Sequence, residues 1–505
     1  MDSRHPVADV ALGWGPVAVA AGTVALLVCS IVLVIFVREP GPILSVLAVI
    51  VGLGVGVVRP DLFIYFLIIT ISLNFGRAVG GYPVALEQLK ILAPPLIILN
   101  LVVGGKFVTR LRVRSAYLWA IIGILVAVAL SFSRANNLPV YLRDTGRLVL
   151  GICGFWAVLN IGTTWARQRL LMYSLLAGAL LLSLLVLAQI ATQSYTPIYS
   201  FVRGEFFTPF SPMRADILPF DGRGQGFSGP NETGGYIAIV LPIGFYLAAT
   251  AKRKLPLYLT LGVMWLALFL TFGRIAVFGG VVGSLLFMKL QGGSLWRLLR
   301  VIFPCVLLTY LVLSSASVQS VFSERVSGTE DMAADRLGVW GYVWDSVSKH
   351  PLIGVGFGNM EGLLVEASGT FEQENALNRL YGAHNQYLEV LMSLGVFGLA
   401  LYLWLLTRPI HLGLCVWRNP NLSPRRLEVV APSCACFVII ILGITESPLS
   451  MSQVGYVCWV VFALVETAHR LVMQEYGHTQ GPAGPVAESV QGSRAQLGTD
   501  AALQT

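Results

Sequence analysis

The chain has 505 residues, of which 56% are hydrophobic and only 12% are charged, and its mean hydropathy is +0.75. Soluble domains carry about a quarter of their residues as charged side chains, so this composition excludes an ordinary soluble protein and indicates lipid as the solvent. The net charge of +8 does not indicate a nucleic-acid partner, because membrane proteins concentrate Lys and Arg in their cytoplasmic loops.

Long apolar runs follow one another along the chain. In lipid the backbone must satisfy its own hydrogen bonds, and unbroken runs favour helices over the short alternating strands of a barrel. We therefore predict an all-α, polytopic transmembrane bundle of about 12–14 spans, each near the length that crosses a bilayer. The candidate spans are 16–37, 41–58, 61–75, 88–104, 116–132, 147–163, 169–191, 234–250, 255–272, 275–290, 298–315, 385–407, 430–445 and 453–470.

Short basic loops alternate with loops that contain few basic residues. The basic loops contain Lys106, Arg110, Arg112 and Arg114, then Arg167 and Arg169, then Lys252, Arg253 and Lys254, then Lys289, Arg297 and Arg300, then Arg408, Arg418, Arg425 and Arg426. The positive-inside rule assigns these loops to the cytoplasm. The prediction is a multi-pass membrane protein with both termini cytoplasmic, in which the remaining loops face the periplasm or exterior.

The spans and loops predict a sequence of regions. A cytoplasmic N-terminus (1–15) precedes N-terminal transmembrane helices (16–191), a periplasmic loop (192–233), further transmembrane helices (234–315), a large periplasmic loop or cap (316–383), C-terminal transmembrane helices (384–470) and a disordered cytoplasmic tail (471–505). Three segments predicted to face outward, 133–146, 192–233 and 316–383, are long enough to hold chemistry.

Aromatic and apolar spacing in the largest of these loops predicts a small folded cap. Leu337, Trp340, Trp344 and Val347 recur at helical spacing within a predicted helix at 335–349. His350-Pro351 ends that helix, and a glycine-rich turn at 354–358 follows. A second short helix is predicted at 371–381.

Two of the six histidines, His350 and His384, lie in segments predicted to face outward. His384 and Asn385 stand directly before a predicted span. The dipole of a helix N-terminus disfavours a charged imidazole, and a neutral imidazole is what a general base requires. His384 is therefore a candidate base, with Asn385, Trp340 and His350 as supporting residues. The alternative is that His384 and Asn385 only cap the helix.

Five arginines, Arg143, Arg147, Arg223, Arg274 and Arg336, also lie on the side predicted to face outward. Their positive charge runs against the inside rule, and a diphosphate ligand would explain it, because the guanidinium fork binds phosphate oxygens bidentately. The alternatives are ordinary pairing with acidic residues on the same side, such as those between 324 and 335 near Arg336, or, for Arg336, stacking on an aromatic ring one turn away. The same acidic residues are expected to form a solvated surface, and no metal site is predicted.

Three motifs resemble the O-antigen ligase and O-antigen polymerase-like membrane proteins. His384-Asn385 is followed after nine residues by Gly395-Val396-Phe397-Gly398. Arg336 and Trp340 precede His350-Pro351-Leu352-Ile353-Gly354-Val355-Gly356, and Arg223 precedes Pro230-Asn231. The shared region extends over about 220–410. Arg274 also resembles an arginine of the family, although Gly273 stands where a serine is more common.

The resemblance implies a GT-C-like glycosyltransferase that transfers a glycan from undecaprenyl diphosphate to an acceptor hydroxyl, with inversion and without a metal or nucleotide cofactor. It assigns His384 as the general base and Arg223, Arg336 and Arg274 as ligands of the diphosphate. The acceptor would be lipid A–core for a ligase or a lipid-linked glycan for an O-antigen or exopolysaccharide polymerase. Membrane lipid and other polysaccharide-assembly proteins are the further partners that the resemblance implies.

A transporter or flippase is the second class of function that the hydropathy allows. Such proteins carry buried charges or broken helices in repeated halves. Pro94-Pro95 interrupts the fourth span, but the second half of the sequence has no equivalent feature. The ligase-like reading is therefore preferred.

Overall fold

The structure is a computed structural model, and it describes only part of the chain. The described ranges are 59–71, 115–192, 229–292, 329–360, 383–419, 425–449 and 452–479, with isolated positions at 224, 226, 296, 299, 303, 306, 307, 363 and 422. In 329–337 the helix is described but the side chains are not. The spans predicted at 16–37, 41–58 and 88–104, the helix predicted at 371–381 and most of the predicted tail lie outside these ranges.

The described residues form helices and contain no strand. The helices are α1 (Pro60–Ile71), α2 (Leu118–Ser131), α3 (Leu138–Ile161), α4 (Trp165–Thr192), α5 (Pro230–Thr250), α6 (Leu255–Leu270), α7 (Arg274–Leu290), α8 (Thr329–Lys349), α9 (Gln386–Arg418), α10 (Leu427–Leu442) and α11 (Ser452–Thr479), with a 3₁₀ turn at Phe132–Arg134 after α2.

Five of these helices are long and apolar enough to cross a membrane: α3, α4, α5, α9 and residues Val454–Tyr476 of α11. Their outward side chains include large exposed apolar groups such as Leu142 and Trp404, which lipid can cover. The predicted fold class, an all-α polytopic membrane protein, is confirmed. The count of 12–14 spans stays a prediction.

Helix α5 forms the centre of the bundle. Its residues from Thr233 to Ala248 are buried, and it packs against α4, α6, α7 and α10. Small residues permit this close packing: a Cβ atom built on Gly244 would lie 2.8 Å from the Leu261 side chain. Because α5 is held on all sides, the residues of its first turn have a well-defined position.

The loops separate to the two ends of the bundle as their charges predict. We call one end the basic end, because the basic loops lie there. At this end, Arg169 at the start of α4 pairs with Glu428 at the start of α10 at 2.8 Å. At the other end, Asn231 at the start of α5 donates to Glu446 after α10 at 2.7 Å. We call the second end the site end, because His384 also lies there.

Most of the segment 133–146, which was predicted to face outward, is helical, and α3 begins before the span that was predicted at 147–163. Helix α3 begins at Leu138, where the Asn137 side chain accepts from Val140 N at 3.2 Å and Pro139 occupies the first turn. An Asn cap followed by Pro is a helix start signal. Polar residues in the first turns of α3 concealed that signal in the hydropathy pattern.

Three other helices differ in length from their predictions. Helix α9 continues to Arg418, whereas the predicted span ends at 407. Helix α8 begins at Thr329 rather than 335 and ends at Lys349, directly before His350-Pro351 as predicted. Helix α11 continues to Thr479, where Trp165 Nε1 donates to the Glu475 carboxylate at 2.5 Å. The first residues of the predicted tail are therefore helical because they pack against the start of α4.

Candidate functional site

Asn385 is the N-cap of α9. Its Oδ1 accepts from the backbone N–H groups of Tyr387 at 3.0 Å and Leu388 at 3.1 Å. The capping reading is therefore correct for Asn385. His384 does not cap: its backbone is left-handed, with φ +46°, and its side chain is 31% exposed. A non-glycine residue in this region is uncommon and often marks a functional position.

Glu446 lies beside the His384 ring. Its Oε2 atom is 3.7 Å from His384 Nδ1, and its side chain is only 6% exposed. Its Oε1 atom accepts the hydrogen bond from Asn231 Nδ2 described above. Glu446 was not among the site residues predicted from the sequence. It lies in the short loop between the last two predicted spans, on the side predicted for His384, and an acid in that position was the available signal.

The loop that carries Glu446 is fixed to the start of α9. The Gln386 N–H is shared between Gly443 O at 3.0 Å and Glu446 O at 3.1 Å. The Gln386 side-chain oxygen accepts from Leu449 N at 2.9 Å. Gln386 is itself buried. These bonds set the position of Glu446 relative to His384 through the backbone.

The turn between α6 and α7 reaches the same place. A Cβ atom on Gly273 would lie 3.9 Å from Asn231 Oδ1, so Arg274, the exposed first residue of α7, begins beside the first turn of α5. Gly224 N donates to Leu270 O at 2.9 Å, which fixes the segment after Arg223 at the end of α6. Arg223 itself lies outside the described residues.

Gly226 fixes the same segment to α4. Its N–H donates to Gln189 Oε1 at 3.0 Å, and Gln189 Nε2 donates back to Gly226 O at 2.8 Å. A side chain at Gly226 would collide with Thr233 and Leu182, and its φ of +58° favours glycine. The glycines of this segment thus serve close packing against helices of the site end.

Helix α8 lies across the start of α9. The Trp340 indole donates to Ala383 O at 2.9 Å, so Trp340 contacts the residue before His384. Val343, Val347 and Met392 pack with Ala383 in a small apolar cluster beneath this contact. Arg336 lies four residues before Trp340 in the same helix, although its side chain is outside the described part of the structure.

The glycine-rich turn docks on a break in α9. Gly395 has non-helical angles, φ +69° and ψ −169°, which interrupt the helix that the sequence predicted to be continuous. Val355 N donates to Met392 O at 2.8 Å, and Val396 N donates to Pro351 O at 2.8 Å. A Cβ atom on Gly395 would overlap the Leu352 carbonyl. The spaced glycines of the two motifs therefore form one backbone junction.

Asn359 joins this turn to the segment between α2 and α3. Its Nδ2 donates to Arg134 O at 2.5 Å and to Val355 O at 2.9 Å, while its Oδ1 accepts from Asn136 N at 2.9 Å. Arg134 Nη1 also donates to Gly354 O at 2.5 Å. His350 is exposed, and its backbone carbonyl accepts from Gly354 N at 3.0 Å.

Arg143 and Arg147 lie on α3 and both contact Asp144. Arg143 Nε is 2.9 Å and Arg147 Nη1 is 3.5 Å from Asp144 Oδ1, and both arginine side chains are nearly half exposed. These contacts fit the ion-pair alternative for both arginines. A role at the diphosphate remains a prediction for Arg223, Arg336 and Arg274, and a supporting role remains one for Arg143 and Arg147.

Part of the chain that includes His384 matches a known protein family. Residues 259–403 match the O-antigen ligase family. The matched stretch runs from α6 into α9, so it contains Arg274, Arg336 and His384, whereas Arg223 and Glu446 lie outside it. The resemblance predicted from the motifs is confirmed, and the chain is a membrane protein with an O-antigen ligase-type region.

The chain is similar to a curated protein of Rickettsia felis that carries the provisional name polysaccharide ligase. The two are 25% identical over 174 residues. The similarity covers 34% of this chain and 41% of the relative. The chain thus matches less than half of the length of this relative.

Proposed function

We propose that this protein transfers a glycan from undecaprenyl diphosphate to an acceptor hydroxyl on the periplasmic face of the bacterial inner membrane, as an O-antigen ligase. The single observation that carries the proposal is the position of His384. It stands beside a buried carboxylate at the end of the bundle where α5, α7, α8 and α9 meet, within the stretch that matches the ligase family.

His384 has the geometry of a general base in this reaction. With Nδ1 facing Glu446, the Nε2 atom is available to the acceptor. Nε2 takes the proton from the acceptor hydroxyl while that oxygen bonds to the anomeric carbon. The bond from that carbon to the phosphate oxygen breaks, and undecaprenyl diphosphate leaves. Attack opposite the leaving group inverts the anomeric configuration.

Arginines at the site end would neutralise the leaving group. Negative charge grows on the diphosphate oxygens as the glycosidic bond breaks, so fixed guanidinium groups lower the barrier most at that moment. Arg274 begins a helix beside Asn231, and Arg336 lies one turn from the contact with Ala383. Arg223 precedes the segment that packs against α4 and α6. The mechanism that we propose uses neither a metal nor a nucleotide.

The orientation of the bundle is part of the proposal. The loops at the basic end would face the cytoplasm together with both termini, and the site end would face the periplasm, as the positive-inside rule requires. Lipid-linked donors present their glycans on the periplasmic face. A site at that end also explains why no nucleotide-binding motif is needed.

The ligase is preferred to the polymerase because the Rickettsia felis relative carries the name of a polysaccharide ligase. A gel of surface and lipid-linked polysaccharide from a strain deleted for this gene tests the choice. Long chains on the lipid carrier together with bare lipid A–core support the ligase. Single repeat units, or the loss of one exopolysaccharide, would identify a polymerase. Unchanged glycans would favour a transporter.

A further inference from the structure

Glu446 is a buried carboxylate that the proposed mechanism does not yet use. Among the described residues its Oε2 atom has no hydrogen-bond partner, although it is shielded from solvent. An unsatisfied buried acceptor lowers stability, and it does so more strongly when it is charged. A donor that can approach Oε2 would remove this cost, and Nδ1 of the His384 ring lies 3.7 Å away.

We propose that Glu446 is a positioning residue that orients His384 and stabilises its protonated form during glycan transfer. The proposal rests on the proposed function, because it assigns a role in that reaction. A carboxylate can only accept hydrogen bonds, so it selects the tautomer in which Nδ1 carries the proton. That tautomer leaves the Nε2 lone pair free for the acceptor hydroxyl.

The separation of 3.7 Å is longer than a hydrogen bond, which for nitrogen and oxygen is about 2.7–3.2 Å. Catalytic hydrogen bonds are often long in the absence of substrate and shorten in the reacting complex. The imidazole is the element that moves, because it is 31% exposed whereas Glu446 is 6% exposed. A rotation of the ring toward Oε2 closes the gap when the acceptor occupies the site.

Neighbouring residues hold the carboxylate in the orientation that this role requires. Asn231 binds Oε1 at 2.7 Å and thereby turns Oε2 toward His384. Gln386 fixes the backbone of Glu446, as described above. When Nε2 takes the proton from the acceptor hydroxyl, the ring becomes positively charged, and the nearby carboxylate, which is itself shielded from solvent, stabilises that charge.

A purely structural role is the competing explanation, because Glu446 also ties α5 to the loop after α10. The test is glycan transfer by the purified full-length protein, using undecaprenyl-diphosphate-linked glycan as donor and lipid A–core as acceptor. Glu446→Gln keeps the size of the side chain but removes the charge and offers a donor to Nδ1. We expect kcat to fall about 10- to 100-fold, less than the loss of a base itself, with the KM for donor unchanged. Glu446→Asp should recover part of kcat.

Glu428→Gln is the matched control, because Glu428 is a buried, ion-paired carboxylate at the basic end. It should leave kcat unchanged. Wild-type kcat in Glu446→Gln would overturn the proposal, as would a raised KM that Glu446→Asp does not improve. If Glu446→Gln does not accumulate in membranes, Asn231→Ala should lower kcat with KM unchanged, and wild-type kcat there would also overturn it. An inactive wild type would instead refute the proposed function.

Discussion

At the scale of single residues, Asn385 and His384 are neighbours in the sequence but make different contacts. Asn385 caps α9, and this frees His384 from any role in the helix. The left-handed backbone of His384 turns its ring toward Glu446 instead of along the helix axis. Asn385 alone therefore caps the helix, and the catalytic role that we propose falls to His384.

Arg336→Lys tests whether an arginine acts on the diphosphate. Lysine keeps the positive charge but loses the planar fork that binds two phosphate oxygens at once. We expect a loss of about 1.5–3 kcal/mol in transition-state stabilisation, the strength of a hydrogen bond to a charged group, or about 10- to 150-fold in kcat/KM. Steady-state kinetics of glycan transfer measures it.

Wild-type kcat/KM in Arg336→Lys would favour the alternative in which Arg336 only pairs with the acidic residues between 324 and 335. Arg418→Lys is a suitable control, because Arg418 ends α9 at the opposite end of the bundle. That substitution should leave kcat/KM unchanged.

At the scale of elements, the break in α9 connects the two motifs of the ligase resemblance. Gly395 releases the carbonyls of Met392 and Ser393 from the helix, and the turn that contains Val355 and Gly356 binds them. Without this docking the carbonyls would lack these partners although both residues are buried, and an unpaired buried carbonyl is costly. The break and the turn therefore depend on one another.

Gly395→Ala should destabilise the protein, because its backbone angles are nearly restricted to glycine and a Cβ atom would overlap the Leu352 carbonyl. The expected loss is about 1–3 kcal/mol or more in the free energy of unfolding. Gly154→Ala is the matched control: Gly154 lies inside α3, and a Cβ atom there meets nothing within 4 Å. Thermal unfolding in detergent should show a lower Tm for Gly395→Ala alone. Equal Tm values would contradict the docking.

At the scale of the whole molecule, the sequence predicted much of the bundle and less of the site. Apolar length located α4, α6, α7 and α10 to within a few residues, because lipid sets the length of a span. Glu446 was not predicted, because a single acid in a short loop belongs to no recognisable motif. Its position beside His384 depends on contacts with α5 and α9 that only the folded structure shows. The break at Gly395 escaped because glycines spaced along a span also serve ordinary helix packing.

The orientation of the bundle can be tested by cysteine labelling. In a background without the seven native cysteines, His350→Cys and Arg253→Cys place one exposed thiol at each end of the molecule. A membrane-impermeant maleimide added to intact spheroplasts should label His350→Cys, and it should label Arg253→Cys only after permeabilisation. The reverse pattern would contradict a periplasmic site.

The most direct test of the central claim is the rate of glycan transfer by purified His384→Ala, measured against wild type and against His411→Ala, an exposed histidine at the basic end. Loss of a general base should lower kcat by about 10²–10⁴-fold, while His411→Ala keeps the wild-type rate and all three proteins have the same Tm. Transfer by His384→Ala at the wild-type rate would contradict the assignment of His384 as the base.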